Sequence, residues 1–340
     1  MYRLRSISID DLDQLYDLAS MTSYGLTTLP ADRAVLERRI VLAEKSMAYD
    51  SHRPSGELYF FVLEDMENNV LVGTSAIISK IGGFEPYYAY ELRTKKYHSR
   101  TLDLETEHQL LHLIEKHNGP SEIGSLFLHP DHRHKNLGKL LSLSRFLYMA
   151  EHRDNFENEI IAELRGVVDE AGRSPFWEAI GKHFFQIDFA EADYLSMVDK
   201  SFIADMMPKQ PIYICTLPED AQAVIGRVHS KTIPAMRILE KQGFKKINQV
   251  DIFEAGPTMQ ANLDTISSVR QSIRAKVGGL LKEESSQEAI VINTERRMSA
   301  CISPIKWDGY KVFLPASTLN NLDLTQDSFV RYLLLNGSSE

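Results

Sequence analysis

The 340-residue sequence predicts an α+β fold. Three patterns carry that reading. A strand, two helices and an antiparallel hairpin follow one another from the start of the chain. An apolar strand at 123–128 then runs through a basic turn into an amphipathic helix at 139–151. After Gly256 the character shifts to short strand-like runs.

Each element has a local reason. Residues 4–9 alternate as a first strand. Asp10, Asp11 and Asp13 form an acidic helix start before the apolar face of Leu12, Leu15, Tyr16 and Leu18. A loop at 25–30 leads to a second helix at 31–48. The hairpin pairs 58–63 with 70–78 around Glu67-Asn68-Asn69. Residues 87–92 suit another strand, and 107–116 reads as a helix. After the helix at 139–151 come a strand at 160–164, a short helix at 176–183 and a further sheet segment at 189–194. Residues 212–216 suit a strand, and 219–228 and 234–242 suit helices. One helical stretch, a charged linker at 282–287 and strands at 289–293, 310–314 and 329–335 complete the chain. The domain reading is 1–258 (core 1–195, extension 196–258), followed at 259–340 by a linker and a small C-terminal β-rich module. The segments Pro175 to Phe185 and Pro234 to Phe244 share the spacing of Pro, Lys and Phe, as a duplicated half or a chance similarity would.

Apolar residues at 43% allow a sizeable core, and charged residues at 25% fit a globular chain. The net charge of −9 argues against nucleic-acid binding, which needs clustered Lys and Arg. Cys215 and Cys301 are isolated, so neither a disulfide framework nor a zinc site is expected. No His, Asp and Glu set has metal-ligand spacing, so no metal is expected. No apolar run reaches the length of a membrane span, and the protein is expected to be cytoplasmic, without membrane partners.

The segment that points to chemistry runs from Leu126 to Leu141. It is strand, basic turn, small residues and helix, which places free backbone N–H groups where they can hold an anion. Arg133, His134, Lys135 and Lys139 add positive charge. A pyrophosphate fits such a cradle; a solvated basic turn opening a surface helix would look the same. The order Arg133-x-x-Asn136-x-Gly138 resembles the acetyl-CoA pyrophosphate loop of GNAT acyltransferases, Arg/Gln-x-x-Gly-x-Gly/Ala. Asn136 replaces the first glycine, and Asn tolerates a left-handed backbone. The resemblance implies a GNAT-type acyl-CoA N-acyltransferase fold. In that fold the strand before the loop parts from its neighbour, and the backbone around Leu126 and Leu128 pairs with the pantetheine arm.

Longer strings are similar to the arginine N-succinyltransferase family. They include Ser125-Leu-Phe-Leu128, Gly138-Lys-Leu-Leu-Ser142, Ser144-Arg-Phe146, Glu163-Leu-Arg-Gly166, Ser174-Pro-Phe-Trp177, Val228-His229 and Asp251-Ile-Phe253. They keep family order up to about Thr258 and fade beyond Ser268. Residues 94–120 depart from the family except for Tyr97-His98-Ser99, and Gln210 stands where a histidine is expected.

The resemblance implies transfer of succinyl from succinyl-CoA, a cosubstrate rather than a bound cofactor, to the α-amine of L-arginine. It implies His229 as proton donor, the side-chain type suited to proton transfer near neutral pH. Glu163 and Arg165 would hold the guanidinium and the succinyl carboxylate; a cross-strand ion pair is the plain alternative. His98 would line the site. Other readings keep the fold with a different amine or acyl group, or make the chain a CoA-binding sensor without turnover. Partners would be the two small substrates and a second copy or related subunit.

Overall fold

The structure, a computed structural model, describes residues 1–21, 29–49, 52–282, 285 and 287–335. Most of the loop read at 25–30 lies outside them. The first half contains β1 (Tyr2–Ser6), α1 (Leu12–Ser20), α2 (Arg33–Ala48), β2 (Leu58–Asp65), β3 (Val70–Ile78), β4 (Tyr87–Ser99), β5 (Leu104–Lys116), β6 (Ser121–Leu128) and α3 (Leu137–Glu151). The middle holds β7 (Glu159–Glu163), α4 (Pro175–Ala179), α5 (Gly181–Phe185), α6 (Phe189–Val198), α7 (Ser201–Met206), β8 (Ile212–Tyr213), α8 (Glu219–Val224), α9 (Ile233–Lys241) and β9 (Lys245–Val250). The remainder is β10 (Pro257–Asn262), α10 (Ser267–Gln271), β11 (Ile273–Leu280), β12 (Glu288–Asn293), β13 (Ser299–Pro304), β14 (Lys306–Trp307), β15 (Lys311–Leu314), α11 (Ala316–Asn321) and β16 (Phe329–Leu334).

The strands form one continuous hydrogen-bonded sheet in the order β14-β15-β11-β16-β12-β13-β1-β2-β3-β6-β7-β10-β9-β4-β5-β8. Its centre explains the unbroken apolar run of β2, which is buried at every position. Tyr59, Phe61 and Leu63 point to the face covered by α3. Leu58, Phe60 and Val62 point to the face covered by α1 and α2. A period of two with both faces buried yields such a run.

Four expectations change. Residues 107–116 are strand, not helix: β5 pairs with β4 over thirteen positions from Tyr87↔Lys116 to Ser99↔Leu104. Leu110, Leu111, Leu113 and Ile114 have helical spacing, but pairing across the hairpin overrides it. Residues 189–194 belong to α6, where Phe189 and Ala192 enter a second core with Tyr90, Phe176 and Trp177. The strand read at 212–216 shortens to two residues and then turns into a 3-10 helix. The two echoing segments differ in form: the first breaks at Ile180 into α4 and α5, the second is the single helix α9.

The boundary read after Thr258 falls inside β10, which pairs with β7 on one side and β9 on the other. The C-terminal strands continue the sheet through β13, paired with β1 at Leu4↔Ala300 and Arg5↔Ser299. Ile290, Ile292, Met298 and Ala300 share a core with α3.

Candidate active site

β6 and β7 are parallel and bonded only at Ser121↔Ile160 and Glu122↔Ile161. Beyond Glu122 the pairing stops. β6 stays on β3 as far as Gly73↔Leu128, with a bulge at Ser125, whose φ is +50°. The gap between the two strands opens a cleft of about 650 Å³, with α3 along one wall and the start of α9 along another. Such a parting leaves backbone groups unpaired. Two β6 carbonyls are held by guanidinium groups: Arg133 Nε donates to Leu128 O at 3.3 Å, and Arg145 Nη1 to Gly124 O at 3.4 Å. Leu126 lies between them on the cleft wall.

At the mouth, Lys135 and Asn136 both adopt left-handed backbone, with φ of +51° and +60°. Asn136 is the N-cap of α3, the conformation for which its tolerance was noted. The Leu137 amide bonds His134 O at 3.1 Å, whereas the Gly138 and Lys139 amides have no acceptor among the described residues. A Cβ on Gly138 would meet nothing within 4 Å. The helix therefore begins with two bare donors beside an open space, flanked by Arg133 and Lys139. Bare donors at a helix start beside open space have the geometry of an anion cradle.

The inner end is acidic. Glu122, Glu163, Asp251 and Glu254 line it together. Tyr87 Oη donates to Glu163 Oε1 at 2.6 Å. Burial, then Glu122 and Asp251, raise the Glu163 carboxyl to about 8. Burial also raises Glu122 and Asp251, and raises Glu254 well above the usual range. Glu254 is 8% exposed; its Oε1 accepts from the Gly166 amide at 2.8 Å, and its Oε2 has no partner among the described residues. A tight loop presents these groups. Asp251 Oδ1 accepts from the amides of Phe253 (2.7 Å) and Glu254 (2.8 Å), and Gly256 passes so close to Leu164 O that a Cβ would lie 2.0 Å from it.

His229 is not itself on the cleft lining but is bonded to two residues that are, Arg165 and Lys231. It caps the 3-10 turn before α9, with Nδ1 accepting from the Lys231 amide at 3.2 Å. Its own amide donates to Arg165 O at 2.9 Å. Burial, then Arg165 and Lys231, lower its pKa below 6.5. A ring that accepts at Nδ1 carries its proton on Nε2 when neutral.

The cleft thus gathers Leu126, Leu128, Arg133, Asn136, Gly138, Lys139, Glu163 and Arg165, with His229 joined to it through Arg165 and Lys231. β7 ends at Glu163, so Arg165 lies beyond the strand, yet both face the cleft. His98 is not brought there. It lies near the tip of the β4–β5 hairpin, half exposed, with Nδ1 3.4 Å from Glu105 Oε1. Sequence reasoning missed Glu122, Asp251, Glu254, Tyr87 and Arg145. Two carried a signal: Glu122 is the single charge of β6, and Arg145 interrupts the buried run from Leu140 to Met149 of α3.

A parted parallel strand pair with an anion cradle at the head of the next helix defines a CoA-dependent acyltransferase of the GNAT type. The model of the arginine N-succinyltransferase beta subunit family matches residues 2–268, and the chain belongs to that family. It is 46% identical over 270 residues to the arginine N-succinyltransferase subunit beta of Pseudomonas aeruginosa, covering 79% of each chain. It is 44% identical over 274 residues to the arginine N-succinyltransferase of Shigella dysenteriae serotype 1, covering 80% of this chain and 79% of that one. The solved structure of arginine/ornithine succinyltransferase subunit AI from Pseudomonas aeruginosa superposes with a TM-score of 0.90 at 32% identity, over 98% of both chains.

Proposed function

We propose that the chain transfers the succinyl group of succinyl-CoA to the α-amine of L-arginine. The observation that carries this is the polarity of one cleft, with bare helix amides at the mouth and four gathered carboxylates at the inner end. An acyl-CoA enters with its diphosphate on the Gly138 and Lys139 amides beside Arg133, and its pantetheine along Leu126 and Leu128. The carboxylates take the cationic acceptor, with Glu163 on the guanidinium; a cation held there favours the ionised form of a carboxyl that burial otherwise keeps protonated.

The amine nitrogen attacks the thioester carbonyl, and the carbon–sulfur bond breaks. His229 donates a hydrogen bond from Nε2–H to the sulfur as thiolate charge develops, and the proton the amine sheds ends on the CoA sulfur, so His229 finishes in the state in which it began. The relatives named as subunits support an assembly with a second, related chain, and the cytoplasm is where both substrates would be met.

Release of free thiol from succinyl-CoA tests the reading, measured with L-arginine, L-ornithine, other amines and other acyl-CoAs. Turnover that needs both succinyl-CoA and L-arginine is expected. Preference for another amine or acyl group, or CoA binding without turnover, would overturn it.

A further inference from the structure

We propose that Arg145 selects the acyl group, its guanidinium receiving the free carboxylate of a dicarboxylic acyl-CoA. The inference rests on the acyl-transfer reading above and gives it a second anchoring point, in place of the Arg165 that sequence reasoning put in that role.

Arg145 is only 2% exposed, yet it lines the cleft. Its guanidinium donates to three neutral acceptors: Ser142 O at 3.2 Å, Ser142 Oγ at 3.1 Å and Gly124 O at 3.4 Å. Five N–H bonds are available on such a group, so donors remain. Among the described residues no carboxylate lies within 4 Å of it. Arg5 holds Asp11 and Glu64, and Arg331 holds Glu151. Arg39 is half-buried and also has no ion pair among the described residues, but the charge of Glu122 acts on it and it is not part of the cleft lining. Burial alone pushes the Arg145 pKa down to about 9, with no neighbouring charge opposing it. The cleft carboxylates instead act on one another and on Lys200 and Arg39. A buried guanidinium without a counter-ion is costly to keep in a fold, and an anionic ligand would offset that cost.

Its place is the right one. Arg145 follows Gly138 on α3 by seven residues, about 10 Å along the helix. It reaches Gly124, four residues along β6 from Leu128 and next to the bulge at Ser125. A chain running inward from the diphosphate cradle along β6 brings its acyl end to this height. A short neutral acyl group would leave the charge unmatched, whereas a terminal carboxylate would complete it with charge-assisted, bidentate geometry.

The test compares succinyl-CoA with butyryl-CoA, which keeps four carbons and lacks the carboxylate, using L-arginine as acceptor. Arg145→Gln is expected to lower kcat/KM for succinyl-CoA about 30- to 100-fold. Its kcat/KM for butyryl-CoA and its affinity for CoA itself should stay within about threefold of wild type. Arg145→Lys, which keeps the charge, should fall between, and it answers the question if the Gln variant does not fold. Equal losses on both thioesters, or an unchanged ratio in Arg145→Lys and Arg145→Gln alike, would overturn the inference while leaving succinyl transfer standing. A wild-type chain with no preference for succinyl-CoA would remove the transfer reading first, and Arg145 with it.

Discussion

Gly138→Val probes the anion cradle with little disturbance of the fold. A Cβ at this position meets nothing within 4 Å, so the folded chain accommodates it. The space it fills is the space that the proposed diphosphate position needs. The Gly138 and Lys139 amides are the donors at stake. Each hydrogen bond from such an amide to a charged oxygen is worth about 1.5–3 kcal/mol. Pushing the phosphate off one of them raises the Kd for CoA about 10- to 150-fold. Helix propensity changes by only about 0.5 kcal/mol, which moves Tm by about 2 °C or less in a chain of this size. Isothermal titration with free CoA and a thermal melt read both quantities on one sample. An affinity within twofold of wild type would refute the cradle. A collapse of Tm would show that the open space around Gly138 is misjudged.

Three further outcomes follow. His229→Ala should lower kcat about 10²- to 10⁴-fold and leave CoA affinity within threefold; an unchanged kcat takes His229 out of the chemistry. Glu163→Gln should raise KM for L-arginine about tenfold or more and flatten the fall of stability in alkali. The raised pKa sets that sign. Between 4.5 and about 8 the folded chain keeps a proton that the unfolded chain releases, so this contribution is complete below 4.5 and is lost as pH rises through 8. Melts at pH 6 and pH 9 check it, and equal drops in wild type and variant would count against Glu163. Gly256→Ala should cost about 3 kcal/mol, because the new Cβ would press on Leu164 O and the Gly166 amide. It should raise KM for L-arginine more than that for the acyl-CoA, and equal rises would mean that the Asp251 loop does not serve the amine.

Much of the cleft was legible because its parts are local. A strand that ends in a basic turn and becomes a helix is one contiguous string, and Asn136 announced its left-handed turn by residue type. The acidic end was not legible. Glu122, Glu163 and Asp251 come from three separate strands or strand ends, and only the sheet order brings them together. The long hairpin failed for a related reason. Residues 107–116 have the apolar spacing of a helix, and what makes them strand is thirteen partners on β4. His98 lies near the tip of that hairpin and is not among the residues that line the cleft.

The strand register between β13 and β1 has a bearing on how the chain can be cut. The match to the family model ends at residue 268, but the scaffolding does not. A truncation there would turn β1 into a raw edge and strip Ile290, Ile292 and Met298 from the back of α3, the helix whose first turn is proposed to hold the thioester's phosphates. The tail thus acts as a buttress for chemistry it never touches, and a shortened chain would lose its hold on CoA through a loosened helix rather than a missing contact.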